Sequence, residues 1–229
     1  MANRRISHIE LKNIYKDQDI WVIGSGTSMQ FIAKDFFKNK VTIGPCQVWK
    51  YFELDYNLHK HQEFVQEAID NKQIVIASKH DCGDIDQPLN EYQSHFIFTH
   101  KRGRFGELET NFVENLKSIG KDDDIFVSYS TISSCIHLAA YMGAKNIMLC
   151  GHDCGWIDNK SHMFDYGKRL IEFHKNDFNK YHNMWFKRVE EDSIRLRQKL
   201  KEIYKCNIYS LNPFINLGLE GHKYDTQQP

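Results

Sequence analysis

No run of residues in this chain approaches the roughly 20 consecutive apolar residues of a membrane-spanning helix, so no membrane span is expected. Neither sign of charge prevails: Lys plus Arg total 30 and Asp plus Glu total 30. That balance argues against a broad nucleic-acid surface, although a local basic groove is compatible with it. No internal repeat is present. Met1–Lys16 is mixed and charged, without an apolar core of signal-peptide length. The six cysteines (Cys46, Cys82, Cys135, Cys150, Cys154 and Cys206) are scattered, and the expectation is a reducing, cytoplasmic setting with free thiols. What the chain does have is length: 229 residues suffice for one substantial core, so a single domain over 1–229 is expected. Twelve histidines and 13% aromatic residues fit polar pockets without requiring them.

Short apolar runs alternate with helical periodicity along most of the chain. Strands are expected at Asp19–Gly24, Lys40–Gly44, Gln73–Ser78, Ser94–Thr99, Ile125–Ser128, Asn146–Cys150 and Cys206–Leu211. Asn146–Cys150 (NIMLC) has no alternation, as in a strand covered on both faces. Helices are expected after the first strand (Phe31, Ile32, Phe36), over His59–Asn71 and over Glu107–Ile119. A further helix follows Ser130, Thr131 and Ser133, whose hydroxyls are of the kind that cap helices. Ile136, Ala139 and Ala140 recur in it at helical spacing, and Gly143 stops it. A last, long helix runs over Asn183–Tyr204. The pattern predicts an α/β fold, a doubly wound, mostly parallel sheet with helices on both faces. The polar segment 157–181 has no clear period and reads as a lid over the crevice; 218–229 reads as a polar tail.

Ligands of such sheets bind beyond the carboxyl ends of strands, which singles out two turns. Gly24-Ser25-Gly26-Thr27-Ser28 follows the first strand, and free backbone N–H groups there can turn towards a phosphate. The third glycine of the dinucleotide fingerprint is absent, and an ordinary turn with nothing bound would read the same. Gly151-His152-Asp153-Cys154 follows the strand Asn146–Cys150. Asp153 there can accept hydrogen bonds from a ribose, hold magnesium or cap the next turn. Cys46 and Gln47, past the second strand, would face the same crevice. Trp49, Tyr51 and Phe52 would stack on a base or, more commonly, belong to the core. Cys150, His152 and Cys154 alternate and would share one face of an extended segment, so a zinc site with His162 is weighed against a buried structural cysteine. His80 and Cys82 are too few for a metal site. Lys101, Arg102 and Arg104 form the only tight basic cluster, an anion clamp or a solvated loop. His162, His174 and His182 are candidates for a general base.

The pairing of IGSGTSM (23–29) with SCIHLAAYMGAKNIMLCGHDCGWIDNKSH (134–162) resembles the domain family named after the archaeal 6-hydroxymethylpterin diphosphokinase. It also resembles the bacterial sialyltransferases of that fold and the flagellin-glycosylating motility accessory proteins. The shared motifs are the first glycine turn, the Met142-Gly143-Ala144-Lys145 helix end and the Gly-x-Asp strand end at 151–153. The resemblance implies a Rossmann-like domain with a nucleotide between the glycine turn and Asp153. It places Ser25, Gly26, Thr27 and Ser28 along the phosphate or ribose, Cys46 or Gln47 by the base and sugar, and Thr131 or Ser133 near the donor. It makes His182, the nearest match by position, the catalytic base of the sialyltransferase branch, while NKSH at 159–162, ending in His162, resembles the G-K-[ST]-H of the diphosphokinase-like family; failing His182, His162 is the base expected. Thr27 departs from the family's usual proline, and Gly155 from a usual tyrosine.

Three functions are then expected in order. The first is a metal-independent glycosyltransferase moving a sugar from a CMP-linked donor to the hydroxyl of a glycan or other acceptor, with Lys101–Arg104 steadying the leaving phosphate. The second is a diphosphokinase that passes pyrophosphate from ATP, with Mg²⁺ on Asp153 and Asp158 as a further candidate ligand, to a hydroxymethylpterin-like alcohol. The third is a non-catalytic nucleotide-binding module. Homo-oligomerisation is left open.

Overall fold

The computed structural model describes residues 6–61, 64–79, 94–100, 108–128, 130–154, 160, 162–163 and 178–211, with backbone alone for 108–112 and 178–185. The strands are β1 (Ile6–Ser7), β2 (Asp19–Ile23), β3 (Val41–Pro45), β4 (Tyr56–His59), β5 (Val75–Ser78), β6 (Phe96–Phe98), β7 (Asn146–Cys150) and β8 (Asn207–Ser210). They form one sheet in the order β1-β6-β5-β4-β3-β2-β7-β8, and every pairing among the described residues is parallel. The α-helices are α1 (Val65–Asp70), α2 (Leu108–Ser118), α3 (Thr131–Tyr141) and α4 (Phe178–Tyr204).

Parallel sheets need cover on both faces, and the strand residues divide accordingly. Ile20, Val22, Ile43, Leu58, Ile147 and Leu149 face a core built with α3 and with Leu196 and Leu200 of α4. Their neighbours Trp21, Ile23, Met148 and Cys150 face the opposite side, against Met29, Phe37, Val48 and Phe52. On that side Val75 and Ala77 meet Val65 and Ala68 of α1. Helix α3 is buried from Ile132 to Tyr141, as a helix apolar nearly all round must be. Gly143 ends it with φ +93°, a backbone conformation that suits glycine.

Several expectations change. The glycine turn leads not into an α-helix but into two 3-10 turns, Thr27–Phe31 and Lys34–Phe37. Residues 56–59 form a central strand, so α1 starts only at Val65 and not at His59. The polar Asn57 and His59 hide this strand from a hydrophobicity reading. Ile125–Ser128 is buried but joins no ladder. Its Ile125 N–H goes to the Thr99 carbonyl, and its Phe126 N–H to Nδ1 of His137. Helix α4 begins at Phe178, before the expected Asn183. Most of 157–181, all of 218–229 and the 80–84 loop lie outside the described residues.

Candidate functional site

From β2 the chain steps outward through β3, β4, β5 and β6, then returns to place β7 on the other side of β2. The strand order reverses between β2 and β7, and a crevice at such a switch point is where open α/β sheets bind ligands. Both glycine-bearing turns of the sequence leave the sheet at this place.

The two turns are bonded to each other. Gly24 N–H donates to the Cys150 carbonyl at 2.7 Å, and Gly26 N–H to the Gly151 carbonyl at 2.8 Å. Asp153, only 3% exposed, accepts from the backbone N–H of Ser28 at Oδ2 (2.7 Å) and from its hydroxyl at Oδ1 (2.5 Å). A Cβ on Gly26 would fall inside the Asp153 carboxylate, so glycine is required there for space, its φ being an ordinary −62°. Of the turn's N–H groups expected to be free, those of Gly24, Gly26 and Ser28 are spent within the protein. Burial pushes the Asp153 carboxyl above the usual range, while both Ser28 bonds oppose it.

The segment beyond Asp153 folds back on the first turn. Thr27 Oγ1 donates to the Lys160 carbonyl at 2.8 Å, and Met163 N–H donates to the Ser25 carbonyl at 2.8 Å. His162, half-buried, is held between these two tethers. His182 is in α4, but its side chain lies outside the described residues, as do Lys101, Arg102 and Arg104.

His152 faces away from Asp153. Ser193 Oγ donates its single proton to the Val189 carbonyl at 2.7 Å, so at 2.7 Å it must accept from His152 Nε2–H. Burial lowers His152 to about 4 and keeps it neutral; it links the β7 turn to α4. Cys154 Sγ lies 3.8 Å from His152 Nε2, and burial chiefly pushes its thiol up to about 12, which makes it a poor nucleophile. The zinc arrangement is not formed. Gly151, at φ +66°, breaks the extended run, Cys150 packs among Trp21 and Met29, and among the described residues no three His, Cys, Asp or Glu converge.

Beyond β3 and β4 stands a polar group that sequence reasoning missed. Cys46, at φ +48°, opens a 3-10 turn over Cys46–Lys50 that carries Gln47. Asn57 Nδ2 donates to the carbonyls of Gly44 and Cys46, both at 3.0 Å, and Asn57 Oδ1 accepts from His59 Nε2 at 2.6 Å. Burial, with His61 adding, lowers His59 to about 4. Next to it, Lys60 is 3% exposed and donates to the Ser128 carbonyl at 2.7 Å. Ser133, in the first turn of α3, accepts from Ser128 Oγ at 3.0 Å. Thr131 opens α3, and the N-cap Ser130 makes no capping bond with its side chain. Trp49 and Phe52 belong to the core layers, while Tyr51 is exposed.

No protein-family model matches the chain, and no curated protein matches it. Solved structures do match. The monofunctional alpha-2,3-sialyltransferase Cst-I from Campylobacter jejuni aligns with a TM-score of 0.55 at 16% identity, over 93% of this chain and 82% of that one. The sialyltransferase CST-II in complex with a trisaccharide acceptor and CMP gives 0.51 at 16% identity, over 89% and 85%. The fold is that of these sialyltransferases. CstII from Campylobacter jejuni in complex with the substrate analogue CMP-3FNeuAc gives 0.50 at 17% identity, over 88% and 84%. At such identity the likeness is one of fold. The resemblance to the diphosphokinase-like domain rests on its short motifs alone. Among the described residues, no helix is long and apolar enough to cross a membrane.

Proposed function

We propose that the protein is a glycosyltransferase that takes a sugar from a CMP-linked donor and passes it to an acceptor hydroxyl without a metal. The observation that carries this reading is the joining of the Gly24–Ser28 and Gly151–Asp153 turns at the β2/β7 switch point, in a fold shared with structures that hold CMP. In this reading Asp153 shapes the crevice by fixing the glycine turn. Ser25, with Cys46 and Gln47 at the next strand end, lines it, and Thr131 and Ser133 stand at its α3 side. The acceptor oxygen attacks the anomeric carbon, and the bond from that carbon to the phosphate oxygen breaks. CMP leaves with the bonding electron pair, and a histidine takes the acceptor proton. The backbone tethers on Lys160 and Met163 favour His162 for that role, with His182 of α4 as its rival.

The diphosphokinase alternative gains less support. It asks Asp153 to hold magnesium, whereas both carboxylate oxygens already accept from Ser28. A thermal-shift series with CMP, CDP, ATP plus Mg²⁺, and a pterin separates the readings. Stabilisation by CMP without metal, weakened in Asp153→Ala, is expected. A response confined to ATP with Mg²⁺ would transfer the assignment to the kinase. CMP binding without donor hydrolysis, unchanged by replacing His162 and His182, would leave a binding module.

A further inference from the structure

We propose that Asn57 and His59 are positioning residues: by holding the carbonyls of Gly44 and Cys46 they set the Cys46–Lys50 turn in the shape that receives the donor. That the ligand is a CMP-linked donor rests on the reading above; that the turn is held by this pair does not.

The bonds of the pair allow one arrangement of its atoms. Gly44 and Cys46 present carbonyls, which only accept, so both face the amino group of the Asn57 amide. The Asn57 oxygen therefore faces His59, and Nε2 of His59 carries the proton that this oxygen accepts. Burial keeps the ring neutral, so Nδ1 of His59 is a bare acceptor. That atom is buried and meets no donor. Asn57 and His59 are both 0% exposed, so neither reaches a ligand itself. A stranded acceptor at this depth costs stability, and two apolar residues on the same strand would bury without that cost. What the pair supplies is direction: the histidine orients the amide, and the amide orients the turn.

The turn needs such a hold. Cys46 stands at φ +48°, in the left-handed region that side chains disfavour. Pro45, ahead of it, has no N–H with which to pin the chain. The carbonyls on either side of Pro45 are the two that Asn57 holds, each at 3.0 Å. Asn57 lies opposite Gly44 in the β3–β4 ladder, so two central strands aim the turn together. Cys46 and Gln47 are its first residues, and a shift of them on the order of 1 Å would be felt by any group bound against them.

Two measurements on the full chain test this: calorimetric titration with CMP, and hydrogen exchange compared between segments 45–52 and 146–150. Asn57→Ala should raise the CMP dissociation constant about 10-fold and speed exchange in 45–52 by a larger factor than in 146–150. His59→Leu, which has no proton to give, should weaken CMP about 3-fold to 10-fold. His59→Gln, whose amide can donate in place of Nε2, should stay within about 3-fold of wild type. Unchanged CMP affinity in Asn57→Ala overturns the proposal. So does exchange accelerated equally in both segments, which would make the pair a prop of the whole sheet. A His59→Gln protein as weak as His59→Leu would deny the histidine its orienting part. Should Asn57→Ala not fold, the two His59 variants decide by the same affinities. Failure of the nucleotide reading has a different signature: CMP does not bind the wild type, while exchange in Asn57→Ala still rises chiefly in 45–52. If CMP does not bind and exchange does not rise there, both fall.

Discussion

Ser28 gives both its backbone N–H and its hydroxyl to the carboxylate of Asp153, 125 positions away in the chain. The pair closes the switch point of the sheet from inside, so Asp153 holds the first turn in place besides whatever it does for a ligand.

The two sides of this pair should respond unequally to substitution. Ser28→Ala removes one donor and keeps the N–H bond, at a cost of about 1 kcal/mol. Asp153→Ala strands two buried donors and should cost about 2–3 kcal/mol. Asp153→Asn should be milder, because it keeps an acceptor and relieves a buried charge. Since the folded carboxyl is raised by burial, folding favours its protonated form. Its contribution is greatest at low pH and is lost as pH rises through the folded value. Asn should therefore lose less stability relative to wild type at pH 8 than at pH 5. Urea midpoints at both pH values check this, and an Asp153→Ala protein as stable as wild type would show the pair to be idle.

Gly26→Ala tests the same contact from the other turn. The new Cβ would meet the Asp153 carboxylate and the Gly151 carbonyl, and overpacking of this kind costs about 1–3 kcal/mol. Adding Asp153→Ala removes the carboxylate clash and leaves that with the Gly151 carbonyl, so the double variant should still lose less than the sum of the two single losses. Strict additivity in denaturation midpoints would mean that the two residues do not share this space.

The opposition of Gly26 and Asp153 was legible because both follow apolar runs that only a central parallel strand explains: DIWVI before one, NIMLC before the other. Gly143 was legible as a helix stop for its permissive φ. The other half of the site was not. Asn57 and His59 face the α1 side of β4, so their strand shows no apolar run, and Tyr56–His59 reads as loop and helix start. Lys60 follows and looks like an ordinary solvated lysine, until Ser128 meets it from 68 positions away. Ile125–Ser128 misleads in the opposite sense. Its apolar residues are buried as a strand's would be, yet its N–H groups go to Thr99 and His137, and no periodicity reports that.

Three buried histidines predict acid sensitivity. Burial first of all lowers His59 and His152 to about 4 and His137 to about 3, from an ordinary 6.5. A depressed value means that the unfolded chain binds more protons than the folded one below about pH 6.5. The stability these groups contribute is therefore fully present above that pH and is lost as pH falls towards 4 and then 3. At about 1.4 kcal/mol per unit, each of the three contributes on the order of a few kcal/mol. Melting temperature should fall steeply between pH 6 and 4, and less steeply in His152→Gln, which keeps a donor for Ser193 and does not titrate. Superposable pH profiles for wild type and variant would remove His152 from this account.

The choice of base can be made without knowing the acceptor. Both tethers that flank His162 end on the glycine turn, at Thr27 and Ser25, so its backbone is held beside that turn. With a CMP-linked acidic sugar as donor, the acceptor in the assay can be water or a simple glycoside. His162→Ala should then lower kcat about 100-fold to 10,000-fold while CMP affinity stays within about 3-fold, because no nucleotide contact is asked of it. His182→Ala should cost much less. Loss of turnover in His182→Ala with His162→Ala left active would give the proton to α4, and His162 would then be a wall of the crevice and not its base.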